Sequence, residues 1–239
     1  MAKKRILKVL LWTLSAPFNG VSLLLEVFAS KNFRSDLERC VELATRFGEA
    51  VPQAFVDAAR LAEDHRSELH PGIDAIAMTR ALWVLVRFGQ VQGASTIEQQ
   101  YVRVVTNQHE RTMYRKAREQ LLALMLVRRT HKRRIASAYL AIAFYGSGSV
   151  GLDGLQARFG EQLSRVPFPQ ALEMVAQLKY PRPRQPNDAW KIKMAARIDA
   201  LRSLGAGTAN KSLQGTFDPP RTFAIAKSHV ASNAAELRR

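Results

Sequence analysis

The helical spacing of the apolar residues is the feature that most restricts the fold of this chain. From residue 35 to residue 204 apolar residues recur every three or four positions, and no run alternates between apolar and polar residues. This spacing predicts helices packed on helices and no sheet. The chain has 239 residues, 47% of them hydrophobic, so it is long enough to bury a core as one domain.

Start and stop signals place the predicted helices. Ser35 opens a capping box, Gly48 is a stop signal, and Pro52 fits a first helical turn. The predicted helices are 35–47, 52–63, 73–88, 96–106, 111–130, 132–144, 169–178 and 189–204. After residue 205 the composition turns to Gly, Ser, Thr, Asn and Pro, which predicts a loose tail with one weak helix near 224–237.

The amino-terminal segment combines basic residues with an apolar run. Four Lys and Arg residues lie within the first eight positions, and the uncharged stretch "VLLWTLSAPFNGVSLLL" follows at 9–25. A stretch of this length is near the short limit for spanning a bilayer, and Pro17 lies inside it. Residues 1–30 are therefore predicted to form an uncleaved membrane anchor, with an interfacial helix and a soluble buried helix as alternatives. A spanning helix would keep its basic end cytoplasmic.

The net charge of +16 predicts attraction to an anionic partner: nucleic acid, an acidic membrane surface or a phosphate-bearing substrate. The stretch "RRTHKRR" at 128–134 is the best argument for nucleic acid, but it is also typical of a solvated face or of contact with anionic lipid headgroups. No zinc spacing or RNP-like motif accompanies it. Cys40 is the only cysteine and is predicted to be a small core residue.

Four polar stretches follow one another in an informative order. They are "EDHRSELHPG" at 63–72, "GASTIEQQYVR" at 93–103, "RTMYRKARE" at 111–119 and "KRRIASAYL" at 132–140. This succession resembles the family 51 glycosyltransferases, the peptidoglycan transglycosylases that polymerise lipid II. Their motifs run E-D-x-x-F-x-x-H-x-G, G-[GA]-S-T-[IL]-T-Q-Q-x-x-[KR]-N, R-K-x-x-E and K-x-x-I-L-E-x-Y-L-N.

The resemblance covers roughly residues 55–204. It implies a mainly α, lysozyme-like domain with a cleft between two lobes, facing the membrane. The predicted organisation is an anchor or interfacial helix at 1–30, a glycosyltransferase-51-like domain at 31–204 and a tail at 205–239.

Two carboxylates carry the chemistry that the resemblance implies. Glycosyl transfer from a lipid diphosphate needs a base for the attacking hydroxyl and positive charge for the departing diphosphate. By resemblance, Glu63 is the general base, and Glu119 is a second functional carboxylate near the leaving diphosphate or a metal ion there. The alternatives are a solvated helix end for Glu63 and an ordinary surface ion pair for Glu119.

The third stretch supplies the positive charge. Arg111, Arg115 and Glu119 stand at i, i+4 and i+8 and share one helix face, with Lys116 beside them. Two guanidinium groups on one face can clamp a diphosphate, because Arg offers donors at fixed angles.

The first two motifs supply the remaining substrate-binding residues by resemblance. In the family the second motif lines the cleft and contacts sugar and diphosphate. The matching positions are Asp64 and His70 in the first motif and Ser95, Thr96, Gln99, Gln100 and Arg103 in the second. The alternative for the second motif is a helix amino terminus capped by a hydroxyl, with exposed glutamines.

Several positions depart from the family pattern, so a divergent member is predicted. The replacements are Ser67 for Phe, Glu98 for Thr, Val104 for Asn, Ser137 for Glu and Ala141 for Asn. Losing the aromatic at 67 is expected to loosen the cleft wall. Glu98 adds negative charge beside the expected diphosphate site, which is unfavourable unless a neighbouring Arg pairs with it.

The resemblance implies an enzyme that polymerises lipid II into glycan strands and releases undecaprenyl diphosphate, on the outer face of the bacterial inner membrane. Its partners would be lipid II, the growing glycan chain, an anionic membrane surface and other cell-wall synthesis proteins, with no nucleic acid. The residues predict no metal ligand set, although the resemblance leaves open a divalent ion, Mg or Mn, near Glu119. Two rivals remain: an inactive member that binds lipid-linked glycan or cell-wall partners, and a basic helical nucleic-acid-binding protein.

Overall fold

A computed structural model describes residues 2–108, 110 and 112–214, and most of this length is helical, as predicted. Residues 1–202 form one compact unit, and a second begins at Ser203, of which the structure describes residues as far as Gln214. The described elements are α1 (Ala2–Phe28), α2 (Lys31–Phe47), α3 (Gln53–Glu63), α4 (Ala75–Phe88), α5 (Ile97–Val105), α6 (Met113–Arg129), α7 (Lys132–Ile142), β1 (Phe144–Gly146), β2 (Ser149–Val150), α8 (Gly151–Phe159), a 3-10 turn (Leu163–Arg165), α9 (Phe168–Ala176) and α10 (Asp188–Gln214).

Two helix ends differ from the sequence prediction by more than two residues. The N-cap of α2 is Ser30 rather than Ser35, because the Ser30 hydroxyl accepts the Phe33 N–H. Helix α10 continues to Gln214, ten residues past the predicted end at 204, since glycine lowers helix propensity by about 1 kcal/mol without ending a helix by itself. The weak helix predicted near 224–237 lies outside the described residues.

The segment after α7 contains structure that the sequence did not predict. Strand β1 pairs antiparallel with β2, and α8 follows directly. Strands of three and two residues are too short for an alternating pattern to show, which is why no sheet was predicted.

Helices α3, α5 and α7 form the centre of the core. Helix α3 packs on α9 and α7, α5 packs on α6 and α7, and α2 packs on α7. Phe55 and Tyr101 are fully buried, and the Tyr101 hydroxyl donates to the Cys40 carbonyl at 2.8 Å. Cys40 is itself fully buried, which confirms its core position. This packing brings together the described parts of the four polar stretches: the first begins at the last residue of α3 and follows it, and the other three lie largely on α5, α6 and α7.

Ser137 joins α7 to the turn between α2 and α3. It is fully buried; its hydroxyl donates to the Phe47 carbonyl at 2.8 Å and accepts the Val51 N–H at 3.0 Å. The serine that replaces the family's glutamate therefore satisfies two backbone groups of that turn.

Helix α1 is long and apolar enough to cross a membrane, judged by length and composition. It packs on α6 and α4 through a narrow face that includes Leu11, Ser15 and Ser22, all fully buried. Arg128 of α6 donates to the Ser22 hydroxyl at 3.0 Å and pairs with Glu26 at 3.0 Å. Many large apolar side chains of α1 are exposed; they are Ile6, Val9, Leu10, Trp12, Leu14, Val21, Leu23, Leu24, Val27 and Phe28. One side of α1 is thus docked on the domain and the other is uncovered.

Candidate active site

Glu63 is the last residue of α3, and its side chain is held by two other helices. Gln100 of α5 donates its amide N–H to Oε2 at 3.3 Å, and Arg197 of α10 donates to Oε1 at 3.1 Å. The Glu63 side chain is only 15% exposed. Glu63 is therefore not a solvated helix end, because each carboxylate oxygen has a donor from another element.

A hydrogen-bond chain continues from Glu63 to α7. The Tyr139 hydroxyl donates to Oε1 of Gln100 at 2.8 Å. Burial, and then the charge of Glu63, raise the pKa of Tyr139, so the phenol keeps its proton and remains a donor. The Gln100 carbonyl therefore accepts from Tyr139, and its amide N–H donates to Glu63.

Glu119 is the second carboxylate, on α6, and it is almost fully buried. Arg115 donates to Oε2 and Lys116 to Oε1, both at 2.5 Å. Lys116 also donates to the Ser95 hydroxyl at 2.9 Å, which joins α6 to the residues before α5. The Arg115–Glu119 contact is an i, i+4 pair, as the alternative interpretation had it, but it lies in a buried cluster rather than on a solvated surface.

Positive charge exceeds negative charge around Glu119. Burial is the largest influence on Lys116 and lowers the pKa of its ammonium; the hydrogen bond and charge of Glu119 only partly offset this, while Arg103 and Arg115 lower the pKa further. Three cations thus act on one another around a single carboxylate. Such a cluster favours binding of an anion, which would relieve the repulsion between the cations.

A pocket of about 430 Å³ opens beside this cluster. It is lined by Arg103, Val104, Arg115, Tyr139, Phe144, Leu178 and Pro181. Two guanidinium groups give it positive charge, and its other walls are aromatic and aliphatic. Tyr139 connects the pocket to Glu63 through Gln100.

Asp64 and His70 lie in a buried layer that does not belong to the lining of this pocket. His70 Nδ1 accepts the Gly72 N–H at 3.2 Å, which assigns the ring proton to Nε2. Nε2 then donates to Asp64 at 3.0 Å, and the same carboxylate accepts the Ile97 N–H at 3.2 Å. These contacts fix the chain after Glu63 to the amino terminus of α5.

The position of Gly72 in this layer does not accommodate a residue with a side chain. Its φ is +120°, and a Cβ there would lie 2.9 Å from the Ala123 carbonyl oxygen. Its own carbonyl accepts the Thr96 hydroxyl at 2.7 Å. Thr96 and Gln99 form a reciprocal capping box at the start of α5, and Gln99 is fully buried. The cap is as the alternative interpretation predicted, but the expectation of exposed glutamines is wrong, because α5 packs in the core.

Glu98 is neutralised by a lysine. Lys132, the first residue of α7, places its ammonium 3.1 Å from Glu98 Oε1, and Glu98 is only 2% exposed. The same ammonium donates to the Ser67 carbonyl at 2.5 Å and lies 3.1 Å from His70 Nδ1. The charge introduced by Glu98 is therefore paired inside the buried layer, with Lys132 in the role expected of an arginine.

The donor groups of the described residues do not fit a divalent metal ion as they are arranged. Asp64, His70 and Glu98 bring potential ligand atoms within 4.8 Å of one another, but the Lys132 ammonium already bonds two of these side chains. Both oxygens of Glu119 accept from cationic side chains. Each of these donor sets already holds a protein cation, which would repel Mg²⁺ or Mn²⁺, so we derive no step through a metal.

One predicted residue lies outside the description, and one important residue was missed. Arg111 falls outside the described residues, so only Arg115 of the predicted guanidinium pair is placed. Arg197 was not predicted, because nothing near it in the sequence marks it beyond a helical spacing of apolar residues. The role of Arg197 becomes visible only in the structure, where α10 packs against the end of α3.

The basic run at 128–134 is largely engaged in ion pairs within the described part of the chain. Arg133 and Arg134 both pair with Glu49, and Arg128 pairs with Glu26. A shallow cavity of about 480 Å³ lies here, lined by Glu49, Arg60, Glu68, His131, Lys132, Arg133 and Arg134. Glu68 pairs with Arg60, as Glu49 pairs with Arg133 and Arg134, so carboxylates neutralise part of the positive charge on this surface. This pairing weakens the argument for a polyanion site.

The packed helices thus combine a carboxylate held by two neighbouring elements with a pocket that two guanidinium groups line. Residues 38–203 match the family model described as Transglycosylase. The chain therefore belongs to the transglycosylase family, which confirms the resemblance seen in the four polar stretches.

The names of similar proteins agree with this family. Penicillin-binding protein 1B of Haemophilus influenzae is 36% identical over 136 residues, which cover 54% of this chain and 17% of the relative. The biosynthetic peptidoglycan transglycosylase of Marinomonas sp. is 36% identical over 127 residues, 53% of this chain and 56% of the relative. That of Azoarcus sp. is 32% identical over 143 residues, 59% of this chain and 61% of the relative. The matches span less than two thirds of each relative's length.

Proposed function

We propose that this protein polymerises lipid II into glycan strands at the outer face of the bacterial inner membrane. The observation that carries the proposal is the hydrogen-bonded connection from Glu63 through Gln100 and Tyr139 to a pocket that Arg103 and Arg115 line. A base and a cationic site for the leaving group are the two requirements of the reaction. Family membership supports the same reaction.

Glu63 is the general base in this proposal. The 4-hydroxyl of the acceptor sugar attacks the anomeric carbon of the donor, and its proton passes to a Glu63 carboxylate oxygen. The bond from that carbon to the diphosphate breaks, and the electron pair leaves with the diphosphate. Each carboxylate oxygen has two lone pairs, so Glu63 can accept a substrate hydroxyl while it keeps its contacts to Gln100 and Arg197.

Arg115 and Lys116, with Arg103, hold the departing diphosphate. Guanidinium groups donate bidentate hydrogen bonds to phosphate oxygens, and Arg103 and Arg115 both line the pocket. Glu119 anchors Arg115 and Lys116 through its two oxygens, so the cations are oriented before the substrate arrives. Glu119 thus acts by positioning donors.

An apolar surface next to α1 suits a lipid-linked substrate. Helix α4, which packs on α1, exposes Leu82, Trp83, Leu85, Val86 and Phe88. Trp83 is 59% exposed and Val86 is 80% exposed. An uncovered apolar face of this extent is typical of contact with a membrane or a partner. Together with α1 it supports placement of the domain at the bilayer surface.

The test is incubation of the purified full-length protein with lipid II, followed by separation of polymer from monomer. We expect glycan polymer from the wild type. Glu63→Gln should lower the rate at least about 100-fold, because the change is nearly isosteric and removes only proton acceptance. Binding of lipid II to Glu63→Gln should stay close to that of the wild type.

Other outcomes separate the rival functions. Binding of lipid II without polymer from the wild type would establish an inactive binding protein. Competition by DNA for the same surface, with a steep dependence on salt, would favour the nucleic-acid interpretation. A near wild-type rate for Glu63→Gln would remove Glu63 from the mechanism.

A further inference from the structure

Arg197 contacts Glu63, the proposed base, from α10, a helix that carries none of the four polar stretches. One nitrogen, Nη2, donates to Glu63 Oε1 at 3.1 Å and to the Ala62 carbonyl at 2.7 Å. Ala62 is in the last turn of α3, where carbonyls have no partner within the helix. Arg197 therefore binds the end of α3 and the carboxylate of its last residue at once.

The other partner of Glu63 is weaker. The Gln100 amide is neutral and donates to Oε2 at 3.3 Å, close to the long limit of a hydrogen bond. A carboxylate at the end of a helix with one long, neutral contact would rotate about its terminal torsion. Arg197 adds a charged donor on the second oxygen, so the carboxylate plane is fixed from both sides.

The surroundings of Arg197 are not those of an ordinary surface arginine. Its side chain is 17% exposed, and its Nε is buried with no acceptor among the described residues. Arg202, further along α10, is 53% exposed and pairs with Glu173 on the surface at 2.7 Å. A buried guanidinium with an unpaired N–H is an unfavourable local arrangement, and such arrangements are expected at functional sites.

We infer that Arg197 is a positioning residue that aims the Glu63 carboxylate at the acceptor hydroxyl. The inference rests on the proposed function of Glu63 as base. Arg197 contacts the base rather than the reacting sugars, so it sets the orientation of the proton acceptor. Substrate affinity depends on the pocket residues instead. A base must be within hydrogen-bond reach of the proton that it takes, and a displacement of about 1 Å can cost about 100-fold in rate.

The experiment compares variants of the full-length protein in polymerisation of lipid II. Arg197→Ala should lower kcat by about 10- to 100-fold and leave KM within about threefold of the wild type. Arg197→Lys should recover part of the rate, because one ammonium can donate to both Glu63 and the Ala62 carbonyl. Added guanidinium ion should partly restore Arg197→Ala but not Glu63→Gln.

Arg202→Ala is the matched control, because it removes the same charge from the same helix without touching Glu63. It should keep the wild-type kcat. If Arg197→Ala does not fold, Arg197→Gln replaces it, and folding is checked by circular dichroism. A wild-type kcat for a folded Arg197 variant, or an effect confined to KM, overturns the inference and leaves the proposed function standing. Absence of polymer from the wild type overturns both.

Discussion

Single residues in this protein owe their chemistry to the partners that other helices bring. Glu63 accepts hydrogen bonds from an amide and a guanidinium, whereas Glu119 accepts them from a guanidinium and an ammonium. Glu119 is nearly inaccessible, at 3% exposure, and Glu63 keeps 15%. The difference in access agrees with one carboxylate meeting the substrate and the other orienting donors.

Lys116 gives a prediction about pH at this scale. Burial lowers the pKa of its ammonium below the ordinary lysine value, so the charge is lost at a lower pH than for an exposed lysine. Binding of a soluble diphosphate should therefore be strong while Lys116 is protonated and should weaken as the pH rises through this lowered pKa. Lys116→Arg should extend strong binding to higher pH, because arginine stays charged. Calorimetric titration between about pH 7 and pH 10 measures the change.

Lys191→Arg is the control for the pH series, because Lys191 is exposed and its ion-pair partner among the described residues is Asp188 of its own helix. Its binding curve should follow the wild type at every pH. Identical curves for the wild type and Lys116→Arg would contradict the expected loss of the Lys116 charge in this pH range.

At the scale of elements, the joints between helices are small polar contacts inside the core. Thr96 joins α5 to the chain at Gly72, Lys132 joins α7 to Ser67, and Ser137 joins α7 to the turn after α2. Each contact satisfies a backbone carbonyl that helix packing has removed from water. A carbonyl left without a partner in such a place destabilises the fold.

Ser137→Ala is expected to lower the free energy of unfolding by about 1–3 kcal/mol, because the Phe47 carbonyl and the Val51 N–H both lose a buried partner. Denaturant unfolding of the protein in detergent micelles, followed by circular dichroism, measures the loss. Thr45→Ala is the control, since that hydroxyl bonds the Val41 carbonyl on an exposed helix face. Equal unfolding free energies for Ser137→Ala and Thr45→Ala would contradict the assignment of Ser137 as a structural joint.

At the scale of the molecule, the described part of the chain leaves apolar surfaces uncovered on α1 and on α4. Both helices pack together, so the surfaces are neighbours. The docked face of α1, with the Arg128–Ser22 contact, ties this helix to α6, which carries Arg115 and Lys116 at its other end. The proposed clamp and the proposed membrane helix α1 therefore pack against each other through α6.

Deletion of residues 1–30 should weaken membrane retention without abolishing it, because α4 keeps its exposed apolar side chains. Sedimentation of washed membranes from cells that express either form measures the retained fraction. In the shortened form, Trp83→Gln with Val86→Gln should release most of the remaining protein. Equal retention of full-length and shortened protein would show that α1 is not the anchor.

The side of the membrane is tested by a reporter fused after Arg239. The reporter is an enzyme that is active only outside the inner membrane. It should be active in the fusion if the basic end of α1 stays cytoplasmic. Activity of a cytoplasm-only reporter at the same position would reverse the proposed orientation.

Local sequence signals predicted much of the fold. The end of α3 at Glu63, the stop at Gly48 and the cap at Thr96 depend on residues within one turn of the helix end, so they can be read from the chain. The predictions were wrong where local signals compete or are too short. Ser35 lost to Ser30 as the cap of α2, and the hairpin at 144–150 had no alternating pattern.

The sequence by itself determined the helical class and the family, because these follow from spacing and from residue type in ordered motifs. It also predicted Glu63 and Glu119 as the two functional carboxylates, which stays a prediction. Only the tertiary structure decided what each charged side chain meets. Arg197 reaches Glu63 across 134 positions of the chain, and Lys132 neutralises Glu98 from another helix. Such pairs depend on how helices pack, and helix packing is set by the summed burial of many apolar side chains rather than by any local pattern.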